Sequence, residues 1–108
     1  MNRYESNRLL TKYPDRIPIL VNRNENTSEK NTPLLDKSKY LVPLALTLGQ
    51  FQFVIRKRLQ LHPSKALFLF IGGNLQCSSE LMISLYEKHH DHEDGFLYVT
   101  YSGESTFG

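Results

Sequence analysis

The chain has 108 residues, 40% hydrophobic and 22% charged, which suits one globular domain and excludes both a disordered chain and a two-domain enzyme. One cysteine, Cys77, rules out a disulfide framework or a thiolate metal cluster within the chain, and the longest apolar run, Ala66–Ile71, is far too short to span a bilayer. The net charge of +2 hides twelve Lys/Arg against five Asp/Glu through Lys65 (+7) and one against six beyond it (−5), too weak a basic bias, with no recognisable module, for nucleic-acid binding.

Met1–Lys12 is polar, and Leu9, Leu10 and Tyr13 share one face of a short helix that must stop before Pro14. Arg16–Val21 reads as a strand. Pro18 has no N–H for a ladder, so its nitrogen must face solvent or fall where pairing is interrupted. Asn22–Thr32, with four asparagines and no apolar residue, reads as a mobile surface loop whose far end Leu34 and Leu35 pin. Lys39–Pro43 is a second strand, ended by its proline. Tyr40 and Leu41 point to opposite faces of it, and the sequence leaves open which one is buried.

Thr47 and Gln50 have capping-box spacing. Leu48, Phe51, Val54, Ile55 and Leu59 then recur at helical steps as a core stripe, with Arg56, Lys57 and Arg58 mainly off it, and His62-Pro63 closes the helix. Ala66–Ile71 predicts a strand in the middle of a sheet, and Gly72-Gly73-Asn74 a turn. Ser78 or Ser79 is placed to cap a shorter helix with Leu81, Met82, Leu85 and Tyr86 toward the core. Asp91–Gly95 is a polar turn, Phe96–Tyr101 the last strand and Ser102–Gly108 a tail.

Strand, strand, helix, strand, short helix, strand is the β-grasp order. The sequence therefore predicts an α+β fold: a four-stranded mixed sheet with a helix packed across it. Residues 1–13 form a short N-terminal helical segment, 14–101 the β-grasp domain, and 102–108 a flexible C-terminal tail.

Catalytic readings fail one by one. His89, His90, Asp91 and His92 are dense in metal-ligand types, but adjacent residues at a helix end do not converge on one ion. Cys77 has no base or orienting group at a recognisable spacing. Gly72-Gly73 lacks the lysine and hydroxyl residue of a phosphate loop. The expectation is a protein that is not an enzyme and carries no metal or cofactor.

Longer motifs are more specific. Lys12-Tyr13-Pro14-Asp15-Arg16-Ile17-Pro18, Tyr40-Leu41-Val42-Pro43, Leu46-Thr47-Leu48-Gly49-Gln50-Phe51, Val54-Ile55-Arg56-Lys57-Arg58, the run Asp94–Glu104 and the terminal Thr106-Phe107-Gly108 match a continuous pattern. The chain resembles the autophagy-related protein 8 family, the ubiquitin-fold modifiers that include GABARAP and the microtubule-associated light chain 3 proteins. The resemblance covers Lys12–Gly108 and weakens only in the Asn22–Pro33 loop, which is a few residues longer than usual. Family members usually begin with two helices, of which Arg3–Thr11 corresponds to the second, so the N-terminal extension is expected to be shortened. Many carry residues beyond the last glycine; here Gly108 is terminal.

The resemblance implies two activities. Gly108 would be joined to the amine of phosphatidylethanolamine by activating and conjugating enzymes, with Phe107 as the hydrophobic anchor they and the processing and delipidating cysteine protease read. Lacking a Cβ, a glycine can thread a narrow enzyme channel, and the two acyl chains of a phospholipid anchor far better than one. The protein would then divide between cytoplasm and autophagosome membrane. Secondly, Lys39–Val42 would accept an aromatic-x-x-aliphatic motif from receptors and adaptors as an added strand. Its aromatic pocket would use Leu9, Pro18, Leu20, Lys39, Leu41 and Phe96, and its aliphatic pocket Tyr40, Val42, Pro43, Leu46, Phe51, Val54 and Ile55, while Arg16 and Arg58 pair with acidic flanks. Periodicity alone assigns Phe51, Val54 and Ile55 to the core, and one of Val54 and Ile55 is expected to be mostly core. The alternative implied function is a non-lipidated adaptor or trafficking scaffold of the same fold.

Overall fold

The apolar run Ile17–Val21 shows no polar alternation, the pattern of a strand covered on both faces. The computed structural model, which describes residues 3–24 and 32–104, places it so. Strand β1 (Arg16–Arg23) lies inside a sheet with β2 (Lys39–Pro43) on one side and β5 (Leu97–Ser102) on the other. Beyond β5 come β3 (Phe68–Ile71) and β4 (Asn74–Leu75), and the described residues also form three helices: α1 (Arg3–Lys12), α2 (Leu48–Leu59) and α3 (Met82–His89). β1 pairs antiparallel with β2, Ile19 opposite Tyr40, and parallel with β5, Ile19 opposite Leu97.

Among the described residues the sheet has five strands rather than the four expected. Gly72 and Gly73 both take positive φ, +61° and +80°, and turn the chain so that Asn74 and Leu75 pair back onto Ile71 and Phe70. The sequence signalled that turn, but a strand of two exposed residues carries no hydrophobic pattern of its own.

On one face Ile17, Ile19 and Val21 pack with Tyr40 and Val42, with Leu97, Val99 and Tyr101, with Leu48, Phe51, Ile55 and Leu59 of α2, and with Met82 and Leu85 of α3. Val54 leaves the expected stripe and is 38% exposed. At 100° per residue it falls about 100° from the centre of the other four. The capping box forms: the Gln50 amide donates to Thr47 Oγ1 at 3.1 Å and the Thr47 amide to Gln50 Oε1 at 2.9 Å. The helix ends earlier than His62-Pro63, at a left-handed Gln60.

Neither Ser78 nor Ser79 caps α3; its N-cap is Leu81, with no side-chain bond. The Ser78 and Glu80 carbonyls instead accept from the Gly49 and Leu48 amides, satisfying the start of α2. Leu81 is accordingly exposed. β3 begins at Phe68 rather than Ala66, and β5 at Leu97 rather than Phe96. β1 continues through Asn22 and Arg23, which pair with Thr100 and Tyr101, so the following loop starts later than expected. Its residues 25–31 lie outside the described residues.

The Pro18 constraint is met by register. Val21 donates its amide to Ser38 of the β2 side and Asn24 to Tyr101 of β5, so odd amides of β1 face β2 and even ones face β5. Pro18 therefore directs its nitrogen toward β5, one residue before that ladder starts at Ile19.

Pro18, Leu20 and Phe96 are buried too, and helix α1 lies against β1. Ser6 anchors α1: it is fully buried and its hydroxyl donates to the Arg3 carbonyl at 3.2 Å. Tyr13, expected to share a face with Leu9 and Leu10, is 38% exposed. The helix approaches Gly95 so closely that a Cβ there would lie 2.4 Å from Ser6 Oγ and 2.8 Å from Arg3 Nη1, and Gly95 has φ +78°. Gly95→Ala should therefore cost about 2–4 kcal/mol and raise amide exchange along α1. Ser6→Gly added to it should recover the steric part of the loss but not the backbone part, as thermal unfolding of the two variants would show.

Candidate functional site

Strand β2 is an edge of the sheet. Because Ser38 accepts from Val21, residues 38, 40 and 42 direct their backbone polar groups inward to β1, and Lys39 and Leu41 direct theirs outward. Pro43 has no N–H, and its carbonyl accepts from Leu46 at 3.2 Å, so the free edge ends there. Two residues thus present an unpaired N–H and C=O each, a template for an incoming strand.

Beside this edge is a cavity of about 290 Å³ lined by Glu5, Leu9, Lys37, Lys39, Tyr40, Leu41 and Phe96. Helix α1 forms one wall and β2 the other, joined by an ion pair of 2.7 Å between Lys39 Nζ and Glu5 Oε2. Phe96 is held from the preceding turn. Asp94, buried, accepts from the Phe96 amide at 2.9 Å and from the Tyr98 hydroxyl. That carboxylate, helped by burial, pushes the Tyr98 phenol up to about 12. Asp91 folds the same turn by accepting from the Glu93 and Asp94 amides, which hold its carboxyl below the usual carboxylate range.

The approach to β2 is fixed from the core. The buried Tyr101 hydroxyl donates to the Pro33 carbonyl at 2.8 Å and accepts from the Leu35 amide at 3.0 Å. Leu35 packs against the core, whereas Leu34 is exposed. Asp36 follows and binds Arg58 of α2 at 3.0 Å, and Lys37 Nζ rests 5.4 Å from the centre of the Tyr40 ring.

Of the six residues expected in the aromatic pocket, Leu9, Lys39, Leu41 and Phe96 line the cavity, while Pro18 and Leu20 are buried on β1 opposite Leu41 and Lys39 and do not line it themselves. Glu5 and Lys37 line it unforeseen. Glu5 was within reach of the periodicity, one helical turn before Leu9, whereas Lys37 precedes β2 and carries no such signal. In the aliphatic set, Phe51 and Ile55 have no exposed surface and belong to the core. Pro43 and Val54 are exposed and Leu46 half-buried. Tyr40 and Val42 face the core, Tyr40 edge-on to Phe51 at 5.8 Å, which answers which side of β2 is buried. Tyr40 keeps a buried hydroxyl without a hydrogen-bond partner among the described residues, and burial pushes its phenol up.

Arg16 and Arg58 sit at opposite ends of β2. Arg16 is in register with Pro43, whereas Arg58 is tied to Asp36, three residues ahead of Lys39. The histidine cluster is engaged locally: His90 stacks on Tyr86 at 4.6 Å, donates from Nδ1 to the Tyr86 carbonyl at 2.7 Å and meets His92 edge-on at 4.8 Å. Phe107 and Gly108 lie outside the described residues.

The whole chain, residues 1–108, matches a family model described as autophagy protein Atg8, ubiquitin like. It is 53% identical over 104 residues to autophagy-related protein 8a of Arabidopsis thaliana, covering 96% of this chain and 82% of that one. Autophagy-related protein 8 of Mycosarcoma maydis is also 53% identical, with 96% and 85% covered. Among solved structures, the crystal structure of Trypanosoma brucei ATG8 superposes with a TM-score of 0.86 at 42% identity, over 98% of this chain and 88% of that one. Plasmodium falciparum Atg8 in complex with a Plasmodium falciparum Atg3 peptide gives 0.82 at 32%, over 94% and 86%.

The turn behind Phe96 generates a pH prediction. A phenol raised from 10.0 to about 12 in the folded chain lends stability that is full below pH 10 and lost as pH climbs toward 12. Residue-resolved NMR titration should find Tyr98 ionising near pH 12. Asp94→Asn should bring it back toward 10, while keeping an acceptor for the Phe96 amide.

Proposed function

Since the chain belongs to the Atg8 family of ubiquitin-like autophagy proteins, we propose that it is a modifier joined through Gly108 to phosphatidylethanolamine, and that it recruits receptors and adaptors by docking aromatic-x-x-aliphatic motifs along β2. The observation that carries the docking half is the free edge: Lys39 and Leu41 turn their peptide groups outward beside an apolar cavity. Backbone bonds supply a strand-adding peptide with affinity, and flanking pockets supply its specificity. The aromatic side chain fits the cavity between α1 and β2. Pro43, Leu46 and Val54 are the accessible members of the aliphatic set, and Phe51 and Ile55 belong to the core.

The conjugation half rests on the family match, which runs through residue 108, and on glycine chemistry. An activating enzyme adenylates the carboxylate, thioesters carry it, and the lipid amine displaces the last thiol to leave an amide. The Atg3 peptide held by the Plasmodium relative supports a conjugating-enzyme segment as one occupant of this protein. No helix among the described residues is long and apolar enough to cross a membrane, so attachment through a conjugated lipid suits the fold. Membrane attachment places the modified form on autophagosomes, and a processing and delipidating cysteine protease completes the cycle.

Two experiments test these halves separately. With activating and conjugating enzymes, ATP and phosphatidylethanolamine vesicles, intact mass should rise by one phospholipid, and Gly108→Ala should abolish the shift. A non-lipidated adaptor would show no shift in either protein. For docking, Leu41→Pro removes an outward N–H at an edge position that tolerates proline, so the fold should persist while affinity for a motif peptide falls about tenfold or more. Leu41→Ala should cost less; equal losses in calorimetry would mean that the side chain, not the edge, makes the site.

A further inference from the structure

The Lys39 end of the free edge gathers three cations and two of the chain's own carboxylates. Lys39 is held by Glu5 at 2.7 Å, Arg58 reaches both Asp36 oxygens at 3.0 and 3.2 Å, and Lys37 lies over the Tyr40 ring. Asp36 is not driven there by burial, since its side chain is 73% exposed. Its place follows from the chain: Tyr101 pins Pro33 and Leu35, which delivers the next residue to the last turn of α2. Glu5 arrives from another element, on α1, and occupies the neighbouring cation. Two separate segments thus set a carboxylate where an acidic residue of a docked strand would look for its cation.

Exposed ion pairs are weak and are exchanged readily for others. A single incoming carboxylate therefore gains little, because it must break an existing pair to form an equivalent one. Resting on the reading of β2 as a peptide-docking edge, we propose that Asp36 and Glu5 are built-in competitors for acidic flanks. They lower what an acidic flank gains from Lys39 and Arg58.

The test uses the full chain and two synthetic peptides with the same aromatic-x-x-aliphatic core, one preceded by three glutamates and one by three glutamines. Calorimetry on Asp36→Asn should show the glutamate peptide binding about two- to fivefold more tightly than to the unmodified chain, with the glutamine peptide unchanged. The gain should vanish in the Arg58→Gln background and shrink at high salt. Equal tightening of both peptides, or weaker binding of the glutamate peptide, would overturn the proposal, the latter by showing that Asp36 orients Arg58 rather than competing for it. If both peptides bind and Asp36→Asn alters neither, the competition idea alone fails. If neither binds the unmodified chain, the docking edge itself is wrong and the inference goes with it.

Discussion

Strand β1 has to be covered twice, and most of the architecture answers that demand. Its odd-numbered side chains need α2 and α3; its even-numbered ones, Pro18 and Leu20, need α1. Its polar groups need two neighbours, antiparallel β2 and parallel β5. Once these are in place, β2 has no further strand on its far side among the described residues. The candidate site is the unpaired remainder of a strand whose other edge is committed to the core, and its cavity is the gap between that strand and the helix brought in to cover β1.

Close approach of α1 depends on one backbone position. Gly95 supplies a left-handed turn without a Cβ, and Ser6, small and internally bonded to Arg3, fills the space left. The same turn, folded by Asp91 and Asp94, then delivers Phe96 to the wall of the cavity. Helix docking and pocket formation are thus one event. A substitution at the turn would reach the site without touching it.

Electrostatics and hydrogen bonds divide the labour around the edge. The buried Tyr101 hydroxyl is paired twice, as a core hydroxyl must be, and by doing so it fixes the segment that leads into β2. The charged groups at the rim are exposed and their pairs exchangeable. Such groups set preference among ligands far more than they hold the fold together. Backbone order and surface charge are thus supplied by different groups along this edge.

The sequence by itself determined the element order, the capping box of α2, four of the five stripe residues in its core face and the edge proline of β2. These are local properties: periodicity, turn chemistry and the missing N–H of proline act over a few residues. It also carried the family motifs, whose long unbroken blocks are legible without coordinates. What it left open needed contacts between distant segments. Tyr40 and Leu41 could be told apart only once β2 had a sheet register, which sent Tyr40 inward against Phe51. Ser78 looked like a helix cap, yet its carbonyl serves the start of α2, because satisfying orphan amides is a requirement of the whole fold rather than of one helix. Glu5 lines the cavity because α1 lies along it, packed closely against Gly95, a placement periodicity alone does not give. A side chain's periodicity says which face it occupies; only packing decides what that face meets.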